Sequence, residues 1–296
     1  VFFTYTACAS VSSVYPLLGA SEGGTPLTVV GGGFSSSAEA LGALRCRINS
    51  TVVGASYVSE SAVMCNTTGM ASGGASVEVS TNGREYTSSG VHIELVSVVV
   101  RVVTPWSGPL LGGTVVTVAG SGVSHVADAL RCRFGVGTMW RSSVSSASSV
   151  SSASSHGSEG VRCVSPSALP TGWSSVELSM YGVRLRSGGS MYVYSALHAS
   201  AVVPRSGPVS GGTRVGVMGS GFREVATLRC RFEGSSATSV ARRVSAVQVE
   251  CASAPSSSGG ARRVGVCANG QQWSLSSSVF FTYTACASVS SVYPLL

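Results

Sequence analysis

Nine cysteines, two Asn-x-Ser/Thr triplets and a recurring Arg-Cys-Arg step are the features of this chain whose residue types and spacing could do chemistry. The cysteines are Cys8, Cys46, Cys65, Cys132, Cys163, Cys230, Cys251, Cys267 and Cys286. Thiols can bridge, ligate a metal or attack an electrophile. Metal binding is not expected, because no C-x-x-C occurs and His92, His125, His156 and His198 do not cluster with cysteine at zinc spacings. A nucleophile is not expected either, because these cysteines recur along the chain and a catalytic thiol need not.

The titratable inventory is poor for acid–base work. All 19 basic residues are Arg; the acids are Asp128 and 11 Glu, and the net charge is +7. No Gly-x-Ser-x-Gly sits in a strand–turn–helix context, and no glycine-rich step leads into a helix that could cradle phosphate. We expect no enzyme, no catalytic residue and no cofactor. Nucleic acid is not an expected partner, since the charge is thin for 296 residues and no basic cluster is interleaved with aromatics. Mean hydropathy is +0.35. Even so, the most apolar run, Val96 to Val103, is broken by Arg101, whereas a membrane span needs about 20 apolar residues. Val1 to Ala9 lacks the basic start and apolar core of a signal peptide.

The elements that position these residues come from repetition. Residues 1–18 and 279–296 are the same eighteen letters, VFFTYTACASVSSVYPLL, at a spacing of 278. A finer, diverged repeat lies inside that period. Its three copies start VYPLLGASEGGTPLTVVGGGF (14–34), VTPWSGPLLGGTVVTVAGSGV (103–123) and VVPRSGPVSGGTRVGVMGSGF (202–222), and a fourth begins near Val292. Pro16, Pro105, Pro204 and Pro294 are 89, 99 and 90 residues apart. Each copy continues with Leu-Arg-Cys-Arg, then Val-x-Cys, then a turn at Asn82-Gly83, Tyr181-Gly182 or Asn269-Gly270, then an aromatic or aliphatic strand. Period-two patterns bounded by Gly, Ser, Pro and Asn predict short antiparallel strands, with essentially no helix. Gly-Gly-Thr is expected to supply positive φ before a strand, and Asn-Gly a type I′ hairpin.

These residues carry a resemblance. Pro-x-x-Gly-Pro-x-x-Gly-Gly-Thr-x-Val-x-Val-x-Gly-Ser-Gly-Phe, followed by Leu-x-Cys-x-Phe and Val-x-Cys-x-Ser/Ala-Pro, is similar to the IPT/TIG family of immunoglobulin-like domains. It covers nearly the whole chain. The first copy departs most, with Ser21-Glu22-Gly23-Gly24 at the loop and Ile48 where the others have Phe. The resemblance implies an all-β chain of three tandem immunoglobulin-like sandwiches forming a linear array. The expected division is 1–10, the final strand of a preceding unit; 11–99, 100–198 and 199–288, the three domains; and 289–296, the start of the next unit. The second domain is lengthened by a Ser-rich insert, 142–160, expected as an extended exposed loop.

The repeat pairs Cys46 with Cys65, Cys132 with Cys163 and Cys230 with Cys251. Cys8 is the copy of Cys286, so Cys267 is expected to pair with Cys286, and Cys8 with the Cys267 equivalent of a neighbouring unit. An even set of bridges per period points to an oxidising, extracellular or cell-surface setting. Asn49 and Asn66 head N-x-[ST] sequons, two among four Asn, and are expected to carry glycans there. Ser142, Ser143, Ser145, Ser146, Ser148, Ser149, Ser151 and Ser152 are candidate O-glycan sites; the other reading is a plain flexible loop. In the Leu-Arg-Cys-Arg strands, Arg45, Arg47, Arg131, Arg133, Arg229 and Arg231 should face outward. They form either a basic ladder for anionic polysaccharide or a neighbour's acidic face, or a solvated strand face that blunts edge aggregation.

The expected function is a structural repeat of an extracellular glycosylated filament or surface fibre, with further copies of itself as partner. In a variant with separate chains, Val1 to Cys8 is a strand donated to an adjacent third domain. The rival is an adhesin or receptor ectodomain binding a protein or glycan, with its site in the second domain near Trp106, Trp140 and Trp173.

Overall fold

The computed structural model describes residues 8–136, 139–143, 149–150, 160–167, 171–185 and 189–285. The first domain contains β1 (Ser10–Tyr15), β2 (Leu18–Ala20), β3 (Pro26–Gly32), α1 (Ser36–Ala40), β4 (Arg45–Ile48), β5 (Thr51–Ser59), β6 (Ala62–Asn66), β7 (Gly73–Ser80) and β8 (His92–Val96). The second contains β9 (Val99–Thr104), β10 (Ser107–Pro109), β11 (Val115–Ser121), a 3-10 segment (Ser124–Ala129), β12 (Leu130–Val136), β13 (Met139–Ser143), β14 (Ser149–Val150), β15 (Gly160–Val164), β16 (Gly172–Met180), β17 (Val183–Arg184) and β18 (Met191–Ser195). The third contains β19 (His198–Val203), β20 (Ser206–Pro208), β21 (Arg214–Ser220), β22 (Arg229–Phe232), β23 (Thr238–Val240), β24 (Arg242–Ser245), β25 (Gln248–Ala252), β26 (Gly260–Cys267) and β27 (Ser274–Thr284).

Each domain is a sandwich of two sheets. In the third the orders are β19-β21-β25-β24 and β20-β27-β26-β22-β23; in the second, β9-β11-β15-β14 and β10-β18-β16-β12-β13. In the first domain the two sheets are continuous, because the nine-residue β5 pairs with β4 through Thr51–Gly54 and with β6 through Ala55–Ser59. The opening strand of every domain changes sheets at its proline. β1 is antiparallel to β3, whereas β2 runs parallel to β8, and β20 likewise runs parallel to β27. The peptide bonds before Pro16, Pro105 and Pro204 are all cis.

The alternation read from the sequence is the alternation of burial. Cys46 and Ile48 are fully buried and alternate with exposed Arg45 and half-buried Arg47, and Cys230 and Phe232 are fully buried and alternate with half-buried Arg229 and Arg231. Three separate cores result, each a set of Val, Leu, Phe or Tyr side chains around one cysteine pair. Their small size per domain is where added cross-links matter most.

The chain is nearly all-β as expected, with one five-residue helix, α1, where Ser35 Oγ accepts from Ala38 N at 3.3 Å. Two expectations need correction. The Ser-rich insert, expected as a loop, includes strand at residues 142–143 and 149–150. Met139–Ser143 pairs with β12 and Ser149–Val150 pairs with β15, since ladder hydrogen bonds need no apolar side chain. Ser145, Ser146, Ser148, Ser151 and Ser152 lie outside the described residues. The Asn-Gly steps do not make tight hairpins. Only Tyr181-Gly182 has positive φ at both positions (48° and 85°), while Asn82 and Asn269 use their side chains to hold wider turns.

Candidate functional site

The structure joins Cys46 to Cys65, Cys132 to Cys163 and Cys230 to Cys251, with Cα atoms 6.4, 6.2 and 6.3 Å apart. Each bridge ties the two sheets of one sandwich through its core. Among the described residues Cys267 has no disulfide partner. Gly260 stands opposite Tyr283 and Val266 opposite Ser274, so Cys267 and Thr284 lie at opposite ends of the β26–β27 hairpin. Seven residues of strand separate those ends by roughly 20 Å. Cys286 itself lies outside the described residues. The Cys267 sulfur instead sits 3.5 Å from Asn269 Oδ1 and 3.1 Å from Gly270 N, in the register that Ser80 and Ser179 hold in the other domains. Cys8 is exposed.

Four of the six arginines of the Arg-Cys-Arg strands are engaged by their own domains. Arg47 lies over the Tyr86 ring at 4.4 Å and Arg231 over the Trp273 ring at 4.8 Å. Arg131 Nη1 donates to Asp128 O and Leu130 O, and Arg229 Nη1 to Ala226 O and Leu228 O, at 2.8 to 3.1 Å. Two acids of the third domain are also paired. The Arg263 fork donates twice to Glu233 at 2.7 Å, and Arg242 donates to Glu250 at 2.9 Å. These guanidinium hydrogen bonds hold both carboxyls below their ordinary range.

The most organised polar contacts lie between domains. In the turn after β26, Asn269 Oδ1 accepts from Gln271 N and Gln272 N at 3.0 Å. That turn lies on the Gly112-Gly113-Thr114 ledge of the second domain. Gln271 accepts from Val115 N at 2.8 Å and donates to Val115 O at 2.7 Å. Gln272 donates to Gly113 O at 2.9 Å and accepts from Thr114 Oγ1 at 3.0 Å. Asn269 Nδ2 donates to Thr114 Oγ1 at 3.2 Å. Beside these bonds is a cavity of about 190 Å³ that Pro109, Leu111, Leu197 and Trp273 help to line.

The junction between the first and second domains uses the same two parts. The Tyr181–Val183 turn after β16 lies on the Gly23-Gly24-Thr25 ledge, and a Cβ on Gly24 would be 3.7 Å from Val183. Here the contact is apolar: Ala20 is fully buried in the second domain's core cluster, with Leu18, Val96, Tyr181 and Val183 packed on it. Burial raises the pKa of Tyr181, and proximity to Tyr15 adds to the shift. Glycine is required at the ledge, where Gly112 has φ +71° and a Cβ would fall 2.5 Å from the Pro166 carbonyl carbon.

Sequence comparison agrees with this thrice-repeated sandwich: the IPT/TIG domain family matches residues 9–94, 99–194 and 197–283. The chain belongs to the IPT/TIG domain family. A comparison with curated proteins finds no match. Among solved structures, the IPT/TIG chain is similar to the full extracellular region of plexin A4, domains 1 to 10 (TM-score 0.46, 17% identity, 93% of this chain and 24% of that one). It is also similar to the Escherichia coli adhesin FdeC (0.25, 14%, 95% and 100%) and to invasin, a bacterial integrin-binding protein (0.23, 11%, 95% and 60%). The chain spans about a quarter of that plexin chain's length. At these identities the likeness concerns the fold.

Both sequons lie on the surface of the first IPT/TIG domain. Asn49 is exposed with φ 50°, and its Oδ1 accepts from Ser76 N at 2.9 Å. Asn66 is exposed directly after the bridged Cys65. The second IPT/TIG domain exposes two stacked indoles, Trp106 (36% exposed) and Trp173 (53%), with ring centroids 6.1 Å apart. The side chain of Trp140 is not described. The ledge and turn residues Gly113–Val115 and Asn269–Gln272 escape a reading of motifs. The available signal is an aromatic four places after each turn asparagine, Tyr86 after Asn82 and Trp273 after Asn269.

Proposed function

We propose that this chain is one period of an extracellular array of IPT/TIG sandwiches that serves as a structural or adhesive surface fibre. One observation carries the reading: the same turn-on-ledge junction occurs twice, in a chain whose first and last eighteen residues are identical. Such contacts are heterologous and do not close on themselves, which is the condition for a fibre. Each domain touches mainly its sequence neighbours, so load passes along the series. The three core bridges suit an oxidising compartment. There Asn49 and Asn66 would carry glycans, and the arginine face would remain with its own domain before meeting any polyanion.

The mass of native material, fully denatured, reduced and deglycosylated, tests this. A mass several times the 29.8 kDa of this chain supports a continuous array. A mass near one unit sinks the continuous array and leaves separate chains.

A second reading, a ligand-binding ectodomain, is favoured by the exposed Trp106–Trp173 stack, whose faces suit a sugar ring or a flat side chain. Loss of cell or glycan binding in Trp173→Ala, with the fold retained, would support it.

A further inference from the structure

The chain carries one half of the junction at each end. At the second–third junction the receiving threonine, Thr114, is 0% exposed and the inserting Asn269 is 7% exposed; at the first–second junction Thr25 is 0% exposed. The corresponding Thr213 of the third domain is only half-buried, and the corresponding Asn82 of the first domain is exposed. The Gly211-Gly212-Thr213 ledge keeps the conformation of the other two, with φ +77° and +80° at its glycines against +71° and +77° at Gly112 and Gly113.

The Asn82 turn is built like the inserting turn of the third domain. Asn82 Oδ1 accepts from Arg84 N at 2.9 Å and Glu85 N at 3.0 Å, as Asn269 Oδ1 does from Gln271 N and Gln272 N. In both turns the asparagine Nδ2 donates to the side chain three places on, Glu85 or Gln272. Both are backed by an Arg over an aromatic ring, Arg47–Tyr86 and Arg231–Trp273.

We propose that the Asn82–Tyr86 turn of one copy of this unit docks on the Gly211–Arg214 ledge of another, forming a third junction of the kind already present within the chain. The proposal rests on the array reading and names the surfaces that would propagate it. Residues 279–296 repeat 1–18, so a third domain followed by a first domain is the order in which successive copies bring these surfaces together. The chemistry is a charged version of the internal contact. Glu85, in Gln272's place, accepts from the Thr213 hydroxyl and faces the Arg214 guanidinium, where the internal junction has Val115. Arg84, in Gln271's place, donates to the Arg214 carbonyl. Such a contact weakens as salt screens it.

The test is hydrogen–deuterium exchange on the 296-residue chain and on a two-unit chain, residues 1–278 followed by 1–296. In the two-unit chain, each peptide covering 82–86 or 211–214 comes equally from the joined position and an open end. Both are expected to give split isotope envelopes, one half exchanging at least about tenfold more slowly, while the 296-residue chain gives one fast envelope. Glu85→Arg with Thr213→Val should merge the halves and leave the Asn269–Trp273 peptide as slow as before, which shows the fold intact. A single fast envelope for both peptides in the two-unit chain overturns the proposal. The mass measurement judges the continuous array separately, so the two failures are distinguishable.

Discussion

Gln271 of the third domain brackets Val115 of the second, accepting from its N–H at 2.8 Å and donating to its C=O at 2.7 Å. One side-chain amide thus completes a backbone pair at the start of β11, 156 residues away in sequence. The contact sets how two sandwiches meet without entering either core. Gln271→Ala with Gln272→Ala should therefore loosen the junction by about 1–2 kcal/mol, since water can replace exposed partners. Each domain should still unfold at nearly its own temperature. Small-angle scattering should show a wider distribution of interdomain distances; an unchanged profile would mean that other contacts hold the angle.

The two glycines of the ledge should respond very differently to a methyl group. Both have positive φ, +71° at Gly112 and +77° at Gly113. A Cβ on Gly113 meets nothing within 4 Å, whereas one on Gly112 falls 2.5 Å from the Pro166 carbonyl carbon. Gly113→Ala should cost only the left-handed conformation, about 1–2 kcal/mol. Gly112→Ala adds a backbone clash and should cost at least about 3 kcal/mol. Urea unfolding of the two variants gives the order directly.

Each core bridge should act mainly through the unfolded chain. The loops span 19, 31 and 21 residues. The chain-entropy model gives about 3–4 kcal/mol for loops of that size. Replacing Cys46 and Cys65 together by Ala should lower the first domain's stability by that amount while leaving the other two transitions in place. A loss spread over all three transitions would mean the domains unfold as one.

Acid should weaken the third domain through Glu233. Hydrogen bonds from Arg263 depress its folded pKa below the ordinary 4.5. The ion pair's contribution is fully present above the unfolded pKa. It is lost as pH falls from there through the folded value. The midpoint temperature of the third domain should fall between about pH 5 and pH 3, and Glu233→Gln should flatten that part of the profile. Equal slopes for the two proteins would remove Glu233 as a cause.

The strand order and the three bridges follow from repetition in the sequence, since Leu-Arg-Cys-Arg and Val-x-Cys return in the same phase in every copy. The junction does not, because three of the four bonds that Gln271 and Gln272 make across it go to the backbone of Gly113 and Val115, which leaves no trace in side-chain pattern. Asn82-Gly83 and Asn269-Gly270 look like hairpin steps by composition, but an asparagine that accepts two backbone N–H groups stabilises a wider turn. Outward Arg47 and Arg231 were legible from alternation; the rings beneath them were not, because Tyr86 and Trp273 lie on the far side of the domain's last turn. Cysteine parity shows how many thiols a period holds and not where each one lies.

Cys267 should behave as a buried thiol. It is 0% exposed, and its sulfur contacts Asn269 and Gly270 at the end of β26. A brief pulse of alkylating reagent on native protein should therefore leave it unmodified while exposed Cys8 reacts. After unfolding without reductant, Cys267 should react completely; a Cys267 peptide still linked to another cysteine would overturn this. Serine occupies the same register at 80 and 179, and Ser80 makes the matching contact to Asn82 at 3.1 Å. Cys267→Ser should accordingly keep the turn and its grip on Thr114, with a stability change within about 1 kcal/mol. A larger loss, with faster exchange at residues 269–273, would show that the thiol's bulk rather than its hydrogen bond sets the turn.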